Sequence, residues 1–453
     1  MDPNAKKATR IELFSFTTPA MRAFHMSWVA FFVCFFAWFS LAPLMPIIKA
    51  ELGLSKDQIA NINIAAVGIT ILVRLVIGPL CDKYGPRLTY TALLVIGALP
   101  ILGIALTRTY EGFIVLRLLI GAVGASFVIT QYHTSIMFAP NVVGAANAAS
   151  AGWGNAGGGV TQSVMPWVFA AATSLGLEKA FGWRVSMVVP GVMMLVVAYF
   201  YYRTTQDCPQ GNYAELRAQG IAVESGKKGG WVVFRAAMAN YRVWMLFVTY
   251  GACFGVELFV HNVAASYYVD RFKLNLQAAG IAAGSFGLLA LFARAVGGIL
   301  SDRLARARGL DARTQLLFAL MVGEGIGLLW FSTVQSATMA IVAMISFGLM
   351  THMACGATYA LVPFVDRKAL GGVAGIVGAG GNVGAVLAGF LAKGIGSVQS
   401  CFWVLGFCVL ASSLCALAVR FSLEHKNRER ALYEEALVER AALQRVGGHA
   451  TAA

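Results

Sequence analysis

The sequence predicts an all-α membrane protein of twelve transmembrane helices arranged as two six-helix halves. Three observations carry this reading. Of the 453 residues, 58% are hydrophobic and only 12% charged, with a mean hydropathy of +0.71. A soluble domain carries about 25% charged residues. Long apolar runs recur along the chain, and a charged motif near the second run returns after the eighth.

The apolar runs, each of roughly 18 or more residues, fall near 26–48, 59–80, 88–107, 112–138, 142–173, 184–203, 240–268, 276–300, 313–333, 336–362, 370–394 and 399–421. Charged or Pro/Gly punctuation separates them. Residues 1–25 are polar and mixed, with Lys6, Lys7, Arg10 and Glu12. They read as an N-terminal tail rather than a cleaved leader. The stretch 204–239, with Asp207, Pro209, Glu215, Arg217, Glu224, Lys227 and Lys228, reads as a linker between halves 26–203 and 240–421. Residues 422–453 form a C-terminal tail. Its alternating charges and Leu432, Leu437 and Leu443 predict a helix over 424–446.

A net charge of +14 suggests nucleic acid at first sight, but its placement argues otherwise. Most of the 35 Lys and Arg lie in the even-numbered loops and the two tails. That is the bias which keeps basic loops in the cytoplasm, so both termini and the linker are expected there, in an inner or plasma membrane. The eight cysteines are scattered and mostly lie in apolar runs, without CxxC or metal spacing. Free buried thiols are expected, with no metal or other cofactor. No nucleophile elbow or nucleotide loop is present, and the Gly-rich segments lie inside apolar spans, which argues against an enzyme.

The halves repeat each other. Arg74, Gly78, Asp82 and Lys83 return at the same spacing as Arg294, Gly298, Asp302 and Arg303. Gly152-Trp153-Gly154-Asn155-Ala156-Gly157 in the fifth span has its partner in Ala379-Gly380-Gly381-Asn382-Val383-Gly384 in the eleventh. Asp82 and Asp302 mark helix ends, and each arginine lies eight residues deeper, about 12 Å at 1.5 Å per residue. An arginine at that depth costs about 2.5–3.5 kcal/mol. Pairing with an acid is the alternative to anion binding. Only Glu257 and Glu324 are clearly intramembrane, and neither repeats in the other half, so anion binding is favoured. A guanidinium stays charged and presents parallel N–H donors to a flat oxyanion. This chemistry alone leaves phosphate open.

Several motifs carry a resemblance. Gly78-Pro-Leu-Cys-Asp82-Lys-Tyr-Gly-Pro-Arg87, echoed by Gly298 to Arg303, resembles the loop motif of the major facilitator superfamily. Arg117, Gly121, Gly124 and Ala125 resemble its fourth-helix motif. The two glycine–asparagine segments, Ala151 to Gly159 and Gly375 to Gly384, resemble the paired signatures of the nitrate/nitrite porter family. Tyr250-Gly-Ala-Cys-Phe254-Gly-Val-Glu257-Leu258 is most similar to the high-affinity nitrate transporters of plants, algae and some bacteria. The resemblance covers nearly all of the chain except the tails.

It implies the major facilitator fold and carriage of nitrate or nitrite by alternating access. The second helix would face the eleventh and the fifth the eighth. Arg74 and Arg294 would clamp the anion, and Asn155 and Asn382 would donate amide hydrogens. Phe127, 28 residues before Asn155, and the pair Tyr250 and Phe254 would sandwich it between ring faces. Arg117 is expected to hydrogen-bond neighbouring backbone. Glu257, His261 and His133 are the proton-coupling candidates. Related transporters usually carry an acid where His261 stands. Asp82 and Asp302 are expected to latch the inner gate. Proton-coupled nitrate uptake leads. Nitrate/nitrite exchange without protons, another small-anion or organophosphate exchanger, and a non-transporting sensor are the alternatives. The chain is expected to work in a lipid bilayer as a monomer, with an accessory protein left open.

Overall fold

The computed structural model describes residues 6–139, 142–221, 230–366 and 370–428, with residue 431. Twelve long helices dominate: α1 (Pro19–Leu52), α2 (Lys56–Tyr84), α3 (Pro86–Leu106), α4 (Tyr110–Met137), α5 (Val143–Ser174), α6 (Lys179–Thr204), α7 (Tyr241–Phe272), α8 (Leu276–Arg308), α9 (Asp311–Thr333), α10 (Ala337–Val365), α11 (Leu370–Ile395) and α12 (Val398–Ala418). Eleven are long and apolar enough to cross a membrane. The remaining one, α5, is equally long at 32 residues. Its glycines, asparagines, serines and threonines dilute its apolarity, and it is covered by α1 and α8. In hydrocarbon every backbone N–H and C=O must be paired within the protein, which a helix does for itself.

Side-chain caps set the starts. Thr18 accepts from the Met21 amide, Ser55 and Gln58 form a capping box, and Asn275, Ser336 and Ser397 each accept from an amide three residues on. The first apolar run, expected from residue 26, is helical from Pro19, because the Thr18 cap and Pro19 at the first position start the helix within polar sequence. Short 3-10 turns interrupt three helices. One lies at Ala42–Leu44, between Leu41 and Pro46 of α1. Another, Gly121–Ala125 in α4, ends two residues before Phe127, and the third, Leu289–Leu291 in α8, ends three residues before Arg294. The predicted helix over 424–446 lies largely outside the described residues; 423–428 are helical.

Across the halves α2 packs on α11 and α5 on α8, the arrangement the superfamily resemblance implies. Within the C-terminal half α7 packs on α11 and α8 on α10. Helices α3, α6 and α12 carry exposed Ile96, Leu99, Val196, Phe200, Phe407 and Leu414, an apolar surface suited to lipid. At the α5–α8 crossing the backbones touch: a Cβ on Gly159 would fall 2.6 Å from the Gly287 carbonyl carbon. Farther from the linker, Lys393 donates to Asn61 (2.9 Å) and Lys49 lies 3.8 Å from Asp270. The halves therefore meet on the side opposite the linker.

The linker is docked where it leaves α6. The buried Asp207 carboxylate accepts from the backbone amides of Arg87 (2.8 Å) and Tyr213 (2.9 Å). Burial pushes this carboxyl above its ordinary range, and the two N–H donors offset part of that rise. Gly85, at φ 87°, makes room: a Cβ there would stand 2.3 Å from the Asp207 carboxylate. Arg217, in the short helix Tyr213–Ala218, donates to the carbonyls of Lys83 and Asp82.

Candidate functional site

Arg74 and Arg294 sit at equivalent depths in α2 and α8, yet their partners differ in kind. Arg74 is half-buried. Its Nη1 donates to the Gly378 carbonyl of α11 (3.0 Å) and its Nη2 to the Gly124 carbonyl of α4 (3.3 Å). The guanidinium carbon lies 5.7 Å from the centre of the Phe127 ring. Arg294 is buried, with Nη2 2.5 Å from Glu257 Oε2 of α7 and its guanidinium carbon 5.3 Å from the Phe254 ring centre. The expectation that too few acids exist to pair the arginines is therefore corrected for Arg294. Counting acids ignores that α7 turns Glu257 directly toward α8. For Arg74 no acid is among its hydrogen-bond partners.

A ladder of rings joins the two positions. Phe127 meets Tyr359 of α10 edge-on (6.0 Å between centroids), and Tyr359 meets Tyr250 edge-on (5.0 Å). Tyr250 then stacks on Phe254 at 5.1 Å and 20°. Edge-to-face and offset-stacked pairs at these separations are the favoured aromatic geometries. Phe127, Tyr250 and Phe254, singled out in the sequence, thus fall in one row with Arg74 at one end and Arg294 at the other. Tyr359 completes the row and was not anticipated, since α10 has no motif that repeats in α4.

Asn382 is buried in α11 and its amide makes a long 3.5 Å bond to the Gly378 carbonyl, the same oxygen that Arg74 binds. Asn155 is buried in α5, one turn from Gly152, whose Cβ position faces the Ala290 carbonyl in the interruption of α8. Each asparagine has an Oδ1 without a partner. Buried amides normally satisfy such atoms, so each of these oxygens has room for a hydrogen-bond donor.

The proton-coupling candidates separate. Glu257 and His261 are fully buried on one face of α7. Neither ring nitrogen of His261 has a partner; the ring lies against Phe39 and Phe286. His133 lies apart, donating Nε2–H to the Gln206 carbonyl (2.8 Å) and accepting at Nδ1 from the Tyr201 hydroxyl (2.6 Å) where the linker begins. Asp82 accepts from the Tyr132 hydroxyl (2.7 Å), and Asp302 pairs with Arg313 (2.7 Å). Each of these bonds stays inside one half, so neither aspartate ties the halves together here. Arg117 donates to the Trp38 carbonyl (2.5 Å), as expected of a backbone-binding arginine, and also reaches Asn262 of the opposite half (2.9 Å). Among the described residues no three His, Cys, Asp or Glu side chains are placed to hold a metal ion.

Two pseudo-symmetric helix bundles with buried cations at their interface define a secondary transporter of the major facilitator type, and the superfamily's sequence profile, described as "Major Facilitator Superfamily", matches residues 27–366. A bacterial homolog of the human lysosomal transporter Spinster, solved inward-facing and occupied, superposes with a TM-score of 0.66 over 89% of this chain and 98% of its own at 14% identity. Among curated proteins, the chain is 42% identical over 381 residues to "High affinity nitrate transporter 2.5" of Arabidopsis thaliana, covering 84% of this chain and 75% of that one. It is 38% identical to "Nitrate transporter 2.2" of Chlamydomonas reinhardtii, covering 84% and 74%, and 28% identical to the "Nitrate/nitrite transporter NrtP" of Nostoc punctiforme, covering 83% and 87%. Within the superfamily the chain belongs to the nitrate/nitrite porter family.

Proposed function

We propose that this protein carries nitrate, nitrite or both across a cell membrane by alternating access, binding the anion between Arg74 and Arg294. The observation that carries the reading is the row Phe127–Tyr359–Tyr250–Phe254 running from one arginine to the other. Flat rings exclude water beside a flat anion, and the guanidinium forks match its oxygens two at a time. Arg74 exchanges carbonyl acceptors for the anion. Arg294 gives up part of its contact with Glu257. Asn382 and Asn155 supply amide hydrogens from the facing helices. The similarity to nitrate and nitrate/nitrite transporters supports nitrate and nitrite over a phosphate ester.

The contacts opposite the linker, Lys393 with Asn61 and Gly159 with Gly287, support a state open toward the linker side. The basic even-numbered loops support a cytoplasmic location for that side, in an inner or plasma membrane. Asp82 and Asp302 hold helices within each half, so that each half moves as a unit. Both arginines come from one chain, so a monomer suffices. Glu257 and His261 are the groups through which a proton gradient would act.

The test is uptake of labelled nitrate into proteoliposomes holding the full-length protein, driven by an imposed pH gradient or by preloaded nitrite. Uptake in wild type and its loss in Arg74→Lys are expected, because a point charge replaces a fork. Wild-type uptake by that variant would overturn the clamp; organophosphate exchange without nitrate uptake would overturn the substrate.

A further inference from the structure

We propose that His352 of α10 and Glu257 form a proton-holding pair behind Arg294, and that protonating this pair releases Arg294 to the anion. The inference rests on the transport reading above and gives its coupling a place. Both side chains are fully buried. His352 Nε2 lies 3.1 Å from the Phe286 carbonyl oxygen. A carbonyl only accepts, so Nε2 carries the hydrogen and Nδ1 is the ring atom free to gain or lose one. Nδ1 lies 3.3 Å from Glu257 Oε2, within ion-pair distance but off the line of a hydrogen bond. A neutral ring would turn its lone pair toward a carboxylate there. One added proton, on Nδ1 or on the carboxyl, converts that repulsion into attraction.

The same Oε2 receives Arg294 Nη2 at 2.5 Å and faces Cys355 Sγ at 3.8 Å, whereas Oε1 has no partner. An anion that needs the Arg294 fork must compete with this oxygen. Protonation of Glu257 removes its charge, and protonation of His352 draws the carboxylate away from Arg294. Either weakens the hold on the guanidinium. The other titratable groups facing the pair are His261 and Tyr250 from α7, Glu324 from α9, Cys355 from α10, and Arg294 itself from α8; Cys253 of α7 lies behind them, against Cys355. Both oxygens of Glu324 and both nitrogens of His261 lack partners, so Arg294 is the cation whose balance the pair controls.

The proton step is simple. The pair takes one proton from the side to which the site is open, Arg294 turns to the anion, and after the halves rock both leave on the other side. Only an N–H or O–H bond forms and breaks. By linkage the anion must then bind more tightly as pH falls.

The experiment titrates nitrate onto the full-length protein in nanodiscs between about pH 5 and pH 8. For wild type, affinity is expected to rise as pH falls, by at most about tenfold per pH unit for one linked proton. His352→Gln keeps a donor for the Phe286 carbonyl but leaves Arg294 on a charged Glu257, so it is expected to bind nitrate more weakly than wild type and with a shallower pH profile. Glu257→Gln frees Arg294 at every pH and is expected to bind nitrate with a flat profile. In proteoliposomes E257Q is expected to retain nitrate–nitrate exchange while losing accumulation driven by a pH gradient, and H352Q to be impaired in both. Should H352Q not fold, H352N and E257Q carry the same comparison. A pH slope in these variants equal to that of wild type would overturn the proposal. Wild type that binds no nitrate at any pH would overturn the substrate reading, and the proposal with it.

Discussion

The two arginines occupy matching places, yet Arg74, with Asp82 and Arg117 in the same half, has neutral partners, whereas Arg294 and Asp302 in the other half face opposite charges. Arg74 binds two carbonyls, Asp82 a tyrosine hydroxyl, and Arg117 a carbonyl and an amide. Arg294 pairs with Glu257 and Asp302 with Arg313. Carbonyl dipoles hold a guanidinium in place without neutralising it, so the Arg74 end keeps its full charge for an anion. The Arg294 end is already balanced. In the proposed clamp, the Arg74 end would attract the anion and the Arg294 end would decide when to admit it.

The sharpest way to break this contrast is to delete each arginine. Arg294→Ala leaves a fully buried carboxylate unpaired, a loss of about 3–5 kcal/mol. Thermal unfolding should show a large drop, restored in part by adding Glu257→Gln. Arg74→Ala leaves no buried charge behind, and its melting should change little while transport is lost. Equal destabilisation by the two variants would erase the distinction. Next in size, Arg74→Lys should lower kcat/KM for nitrate about 100-fold, since a charge-assisted fork is worth about 2–3 kcal/mol. Between the two ends, Tyr359→Ala should cost about tenfold in the same parameter by breaking the ring row, and Tyr359→Phe much less. Smallest is the pair of aspartates. Asp302→Asn should cost at most about 1 kcal/mol and only at low salt, because its half-exposed carboxylate is screened. Asp82→Asn should be indifferent to salt.

Much of this was legible beforehand, and the pattern of what was not has physical causes. Apolar runs located the helices, and the repeated Arg–Gly–Asp spacing singled out both arginines, because a motif duplicated in two halves leaves a mark in one dimension. The aromatic trio and the two asparagines came from resemblance rather than periodicity. Tyr359 and His352 were missed because α10 carries no repeated motif, and an aromatic or histidine in an apolar helix gives no sign of what it faces. The Glu257–Arg294 pair was undervalued for a related reason. Its members are 37 residues apart and meet only through the packing of α7 on α8. His133 looked equivalent to His261 by composition, but Tyr201 at the end of α6 and Gln206 at the start of the linker claim its two nitrogens.

The contact of Gly159 with Gly287 has a mechanical consequence. Most helix pairs interlock like gear teeth, side-chain ridges seated in grooves, and turning one against the other means lifting teeth over teeth. At Gly159 and Gly287 two smooth surfaces touch with no side chain between the backbones, while Ser163 and Pro166 of α5 seat against Gly284 and Gly280 further along α8. A single methyl at Gly159 would add a tooth to this bearing, and its cost would fall on turnover rate rather than on affinity for the cargo.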